Sequence, residues 1–312
     1  MSRFEINNEI IGIEVDSFGA ELKSLRRLSD GREYMWNADP AYWKRTSPVL
    51  FPLVGSLQGQ QYTYEGKTYA MSQHGFARDM EFKPVREKAG QEKGSRGQAL
   101  WFELRENGES MERYPFPFLL RIGYVLKGAG VQVHWQVENT GSADMYFSIG
   151  GHPAFLCPIE EGARQSDYLI GFDTKNALVS TVIGRDGLAS DRKKTYELEE
   201  GILPIDEHLF DDDALIIEHD QAHRVSLMTK EKEPYLTVSF DAPLFGIWSP
   251  PHKNAPFICI EPWYGRCDAE SFNGTLGERE WGNKLSPGER FEAAYTIGIE
   301  LKVIAKVLEA SY

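Results

Sequence analysis

Residues 120–137 read LRIGYVLKGAGVQVHWQV: alternation through Leu120–Val125, a break at Lys127-Gly128-Ala129-Gly130, then alternation again through Val131–Val137. A period of two places one row of side chains on one face of a strand, and a glycine-rich break lets the chain fold back, so the stretch predicts a hairpin. The same period recurs at Ile11–Val15, Leu100–Leu104, Tyr235–Phe240 and Phe291–Ile299. A second hairpin is predicted where Tyr62–Tyr64 and Thr68–Ala70 flank Glu65-Gly66-Lys67. Many short strands between Gly- and Pro-rich turns predict an antiparallel sandwich or barrel. Helical periodicity is sparse. The tail Lys302–Leu308 fits a short helix or a strand extension, and the charged, Gly-rich residues 86–98 fit an exposed loop.

The 312 residues contain no repeat, low-complexity tract or linker-like composition, and β-folds of this size occur as one unit, so a single domain over 1–312 is expected. A net charge of −13 argues against a phosphate backbone or an anionic membrane as partner, while leaving room for a local basic pocket. The three cysteines, Cys157, Cys259 and Cys267, form neither a disulfide framework nor a close zinc-type pair. The start MSRFEINNEI lacks an apolar segment after a basic one, and no run approaches ~20 apolar residues, so a cytoplasmic location is expected. Aromatic residues (14 Tyr, 17 Phe, 7 Trp) suit both a pleated core and stacking on sugar rings, and decide nothing alone.

Four segments interrupt the alternation with Gly, Pro, His and charge: residues 45–55 (RTSPVLFPLVG), 73–78 (QHGFAR), 148–155 (SIGGHPAF) and 258–265 (ICIEPWYG). In the first, two prolines bracketing an apolar run suit a buried edge strand. In the second, His74 precedes a glycine and lies four positions before Arg78, which brings a switchable imidazole near a fixed cation. In the third, two glycines open the backbone beside His152 and a proline sets the direction after it. In the fourth, Glu261 follows the apolar run Phe257–Ile260 as a carboxylate at the end of a buried strand, where burial raises its pKa; Trp263 offers a face for a sugar. Structural roles compete with each reading: a loop-bracing histidine at His74, a structural ion pair at Glu261. His134 lies mid-strand with one face solvated, and His208, His219, His223 and His252 lie among polar residues as surface groups.

Taken together and in order, these segments resemble the aldose 1-epimerase family of the galactose mutarotase-like superfamily, in its LacX-like branch. The resemblance covers nearly the whole chain, from Phe18-Gly19-Ala20-Glu21-Leu22 and Tyr34-Met35-Trp36 to Glu261-Pro262-Trp263. It implies an all-β sandwich of two large, twisted, mostly antiparallel sheets, a sugar or sugar phosphate as ligand, and neither metal nor cofactor. It also implies roles: Glu261 as general base on the anomeric hydroxyl, His152 as general acid on the ring oxygen, His74 as a hydrogen-bond partner near that oxygen. The family's Arg after Val-Gly is absent, since Val54-Gly55 leads to Ser56; Arg45 or Arg78 is expected to supply the cation. Asp213, before the apolar run Ala214–Leu215, is the expected ligand of sugar hydroxyls.

Three other readings compete. A glycosidase would pair Glu261 with Asp213 or Asp241 across a glycosidic bond. A metalloenzyme would use His74, His152 and Glu261 as two histidines and one carboxylate. A non-catalytic carbohydrate-binding or regulatory protein would keep the cleft without turnover, a reading that the loss of Arg at Ser56 favours.

Overall fold

The computed structural model describes residues 2–85 and 99–301; the predicted loop 86–98 and the tail Lys302–Leu308 lie outside them. The hairpin forms as its alternation demands. Strand Phe118–Lys127 pairs antiparallel with Gly130–Asn139, Leu126 opposite Val131 and Ile122 opposite Trp135. Val131, Val133, Trp135 and Val137 are buried, whereas Gln132, His134 and Gln136 between them are half-buried. His134 packs against Trp101 with ring centres 5.7 Å apart. The second hairpin joins Gln61–Tyr64 to Lys67–Ala70 through Glu65 (φ +46°) and Gly66 (φ +73°), the left-handed pair that a tight two-residue turn requires.

The first hairpin lies in a nine-stranded sheet ordered Ile202–Pro204, Leu169–Phe172, Arg224–Met228, Pro234–Phe240, Arg290–Ile299, Gly130–Asn139, Phe118–Lys127, Ala99–Arg105, Lys83–Val85. A second sheet runs Ala189–Tyr196, Leu178–Ile183, Leu215–Glu218, Leu244–Trp248, Phe257–Tyr264, Ile149–Gly151, Val49–Leu50, with Ala154–Leu156 also paired to Phe257–Tyr264. Every strand pairing in both sheets is antiparallel. Val49–Leu50 sits at an edge, as its flanking prolines require. One hydrophobic cluster takes side chains from both sheets, among them Val133, Trp135 and Ile297 from the first and Ile217, Ile247 and Ile260 from the second. That shared core makes the architecture a sandwich.

Strand Phe257–Tyr264 explains where the site lies. Ile258 and Ile260 point into the core between the sheets. Phe257, Cys259 and Trp263 point to the other face, where they join two smaller clusters with Trp36, Leu50, Ile216 and Leu244. Both faces are therefore covered, and the strand reads as a continuous apolar run instead of alternating. Glu261 lies inside this strand, not at its end as the sequence suggested: pairing continues through Pro262, opposite Phe245, to Tyr264. No helix among the described residues is long and apolar enough to cross a membrane.

Candidate active site

A pocket of about 280 Å³ opens on the second face of the eight-stranded sheet. His74, Arg78, His152, Asp213, Glu261 and Trp263 line it together, although they come from four distant parts of the chain. Trp43, Trp248 and Cys267 line it as well and carried no sequence signal of their own. Arg45 does not line it; its Nη2 is 2.8 Å from Asp79 Oδ1, which consumes the charge locally. Asp241 is exposed and lies outside the pocket lining. His208, His219 and His252 are exposed and His223 is half-buried; none lines the pocket.

Trp263 forms part of the wall, and the sequence makes room for it. A Cβ on Gly150 would fall 2.5 Å from the indole, and one on Gly246 would fall 2.4 Å from its other end. Both neighbouring strands thus carry glycine where the ring crosses them. His152 follows strand Ile149–Gly151, anchored by its backbone N–H to Pro48 O at 3.1 Å. Its ring is held on three sides: Trp43 stacks at 4.7 Å between centres, Trp248 meets it edge-on at 5.5 Å and His74 at 5.6 Å.

The chemistry centres on one contact. His152 Nε2 lies 3.3 Å from Glu261 Oε1, with both side chains buried. His152 Nδ1 and Glu261 Oε2 are buried and have no hydrogen-bond partner. Burial drives Glu261 well above the ordinary carboxylate range, with the Trp263 indole N–H opposing and Asp213 adding to the rise. Burial, then the charge of Arg78, lowers His152 to about 3. Both shifts favour the uncharged forms, as expected of a couple that shares one proton away from water.

His74 is fixed in one tautomer. Its backbone N–H donates to Gly55 O at 2.9 Å while Gly55 N–H donates to His74 Nδ1 at 3.0 Å. With Nδ1 occupied as an acceptor, neutral His74 carries its proton on Nε2 and acts as a donor there. Burial holds its pKa well below 6.5, and electrostatic interaction with His152, Arg78 and Arg45 lowers it further. Arg78 Nη2 donates to Gln73 O at 2.7 Å; burial and Arg45 bring it down to about 10, so it stays charged at neutral pH. Asp213 adopts φ +71° and accepts Ala214 N–H at 2.8 Å; burial raises its pKa.

Among the described residues, His152, Cys259 and Glu261 place ligand atoms within 4.8 Å of one another, whereas His74 is not in the group. Burial holds the Cys259 thiol well above its usual range, with Glu261 adding to the effect. Ser56, at the position of the absent arginine, does not line the pocket. It packs against Gly187, where an added Cβ would fall 2.8 Å from the Ser56 hydroxyl.

The family model described as aldose 1-epimerase matches residues 2–297. Protein LacX of Lactococcus lactis subsp. lactis is 31% identical over 306 residues, covering 95% of this chain and 98% of that protein. The crystal structure of a galactose mutarotase related enzyme from Lactobacillus acidophilus is 32% identical, with a TM-score of 0.86 over 96% of this chain and 97% of that one. A galactose mutarotase-like protein from Lactobacillus casei is 30% identical, again with a TM-score of 0.86, over 96% of this chain and all of that one.

Proposed function

The chain belongs to the aldose 1-epimerase family, and from that premise we propose that it interconverts the α and β anomers of an aldose by acid–base ring opening at His152 and Glu261. The observation that carries this reading is the 3.3 Å contact between His152 Nε2 and Glu261 Oε1 in a pocket where each group keeps one unpartnered polar atom.

Ring opening needs one group to take the proton from O1 and another to give a proton to the ring oxygen as the C1–O5 bond breaks. With the shared proton on His152, Glu261 is a carboxylate and takes the O1 proton. The O1–H electrons form the C1=O1 bond, the C1–O5 bond breaks, and His152 protonates O5. The proton count is unchanged, and Glu261 now carries the proton. Rotation about C1–C2 presents the other carbonyl face. Closure then runs in reverse, with Glu261 protonating O1 and His152 accepting the O5 proton. Burial favours the neutral couple, so the form with the proton on His152 is the reactive minority state of the pair. His74, donating from Nε2, supports the ring oxygen, while Arg78 and Asp213 bind hydroxyls and Trp263 offers its face to the sugar.

The test is anomer exchange by NMR saturation transfer with aldoses, in wild type, Glu261→Gln and His152→Asn. Each substitution is expected to slow exchange by roughly two orders of magnitude or more, because each removes one proton-transfer partner. Near-normal exchange in either variant overturns the assigned roles. Sugar binding by wild type with no acceleration of exchange would instead establish the non-catalytic binding protein.

A further inference from the structure

Strand Phe257–Tyr264 carries Cys259 two residues before Glu261, so both side chains leave the same face of the strand. The chain beside it brackets a third residue. Gly150 pairs with Trp263 and Ala154 with Cys259, and His152 lies midway between them, level with Glu261. The register thus gathers a nitrogen, a sulfur and a carboxylate oxygen within 4.8 Å of one another, with all three residues buried. His152 Nε2 and Glu261 Oε1 are already 3.3 Å apart. A tetrahedral ion with bonds of about 2.0–2.3 Å sets its ligands about 3.3–3.8 Å apart, so the set closes on an ion with a shift of about 1 Å.

The ligand types select the ion. Thiolate and imidazole suit zinc-type cations, whereas magnesium and calcium take oxygen ligands. A thiolate and a carboxylate bring two negative charges, so a divalent cation leaves the buried site neutral. Coordination releases two protons to solvent, that of the thiol and the one shared by His152 and Glu261. His152 Nδ1 and Glu261 Oε2, buried and unpartnered, are further polar atoms at the same place. On the pocket wall, Arg78 disfavours a cation and Asp213 favours one, so their charges offset. Cys259 does not line the pocket but sits among Trp36, Ala154 and Phe257. His152 and Glu261 do line it, so an ion enters from the pocket, reaches the thiol behind the couple and keeps its fourth position toward the pocket.

We propose that His152, Cys259 and Glu261 form an inhibitory site for a thiophilic divalent cation of the zinc type. The ion occupies both members of the acid–base couple, so proton transfer stops while it is bound. Metal binding stands apart from the mutarotase reading; its inhibitory effect rests on that reading.

The test titrates metal-free protein with Co²⁺, which reports a bound thiolate by a sulfur-to-metal charge-transfer band in the near ultraviolet. One Co²⁺ per chain with that band is expected, displaced by Zn²⁺. Cys259→Ala is expected to remove the band and to weaken Zn²⁺ binding by roughly ten-fold or more. Glu261→Gln, with its thiol intact, is expected to weaken binding comparably and reads the same site should Cys259→Ala fail to fold. Anomer exchange by wild type is expected to fall as Zn²⁺ is added and to return with a chelator. With each rate taken relative to the same protein without metal, Cys259→Ala should need roughly ten-fold more Zn²⁺ for half-inhibition. Co²⁺ bound without the sulfur band, as at the exposed group His208, Asp211 and His252, overturns the proposal, as does equal Zn²⁺ sensitivity in Cys259→Ala. If wild type never accelerates exchange, the catalytic reading fails and the cobalt band alone decides the metal site.

Discussion

The indole of Trp43 lies over the imidazole of His152, with ring centres 4.7 Å apart and planes 29° apart. Trp43 is itself tied down, because Trp36 Nε1–H donates to its backbone oxygen at 2.9 Å. Trp248 meets the same imidazole edge-on at 5.5 Å, so the ring is clamped by one stacked and one edge-on indole. An acid that must aim at one oxygen gains from being unable to rotate. Trp43→Ala is therefore expected to reduce kcat by roughly ten-fold or more, while Trp43→Phe, which keeps a stacked ring, recovers most of it. A loss confined to KM, or no rescue by Phe, would mean that Trp43 touches the sugar and does not position His152.

The shared proton predicts an unusual pH profile. His152 is lowered to about 3 by burial and Arg78, so the couple gains a second proton only far below the ordinary imidazole value of 6.5. Glu261 is raised by burial, so the couple gives up its last proton only well above the ordinary carboxylate value of 4.5. Activity needs one proton in the pair, and kcat/KM should show no acid limb as pH falls through 6.5 toward about 5. An acid limb with its midpoint near 6.5 would show His152 to be an ordinary, solvated histidine.

The nine-stranded sheet was legible wherever one face of a strand meets the core and the other meets water. In Gly130–Asn139, buried valines and Trp135 alternate with half-buried Gln132, His134 and Gln136, and the sequence carries that rhythm. Phe257–Tyr264 carries no such rhythm, since Ile260 faces the core and Cys259 the aromatic cluster on the other side. Two other strands of its sheet, Leu215–Glu218 and Ile149–Gly151, are too short to display a period. The single α-helix among the described residues, Gly108–Arg113, is also short and rests on its cap, with Ser110 N–H donating to Asn107 Oδ1 at 2.9 Å. In the site, His74, His152 and Glu261 drew notice because glycine and proline beside a polar residue break a β pattern. Trp43 and Trp248 break nothing, and one tryptophan among seven has no mark of function. Arg45 had the expected charge, but a sequence does not show that Asp79 lies 2.8 Å away.

The glycines under Trp263 give a direct packing test. A Cβ on Gly246 would sit 2.4 Å from the indole, and the neighbour it meets is a buried ring rather than the end of a flexible chain. Gly246→Ala should cost about 1–3 kcal/mol of stability, the range for overpacking a closed site. The shifted indole should also weaken sugar binding measured by titration. Chemical denaturation checks the first effect; an unchanged midpoint would show that Trp263 has free space to move into.

Behind the pocket wall, Glu218 is buried and accepts hydrogen bonds from Arg266 Nε at 2.7 Å, Trp281 Nε1 at 2.8 Å and the Thr181 hydroxyl. Burial alone would raise its pKa, but the bonds from Thr181 and Arg266 outweigh it and hold Glu218 at about 2. Arg266 also donates to the backbone oxygen of Cys267, a pocket residue, so the network supports the site from outside. Glu218→Gln leaves buried Arg266 with Glu280 as its remaining counter-charge and should cost about 1–3 kcal/mol at neutral pH. Because the folded value lies below the ordinary 4.5, the carboxylate stabilises the fold above pH 4.5, and that contribution is lost as pH falls toward 2. Denaturation of wild type and Glu218→Gln across that range should therefore show a stability gap that narrows as the solution is acidified. A gap that stays constant from neutral pH to 2 would mean that Glu218 is not ionised in the folded protein.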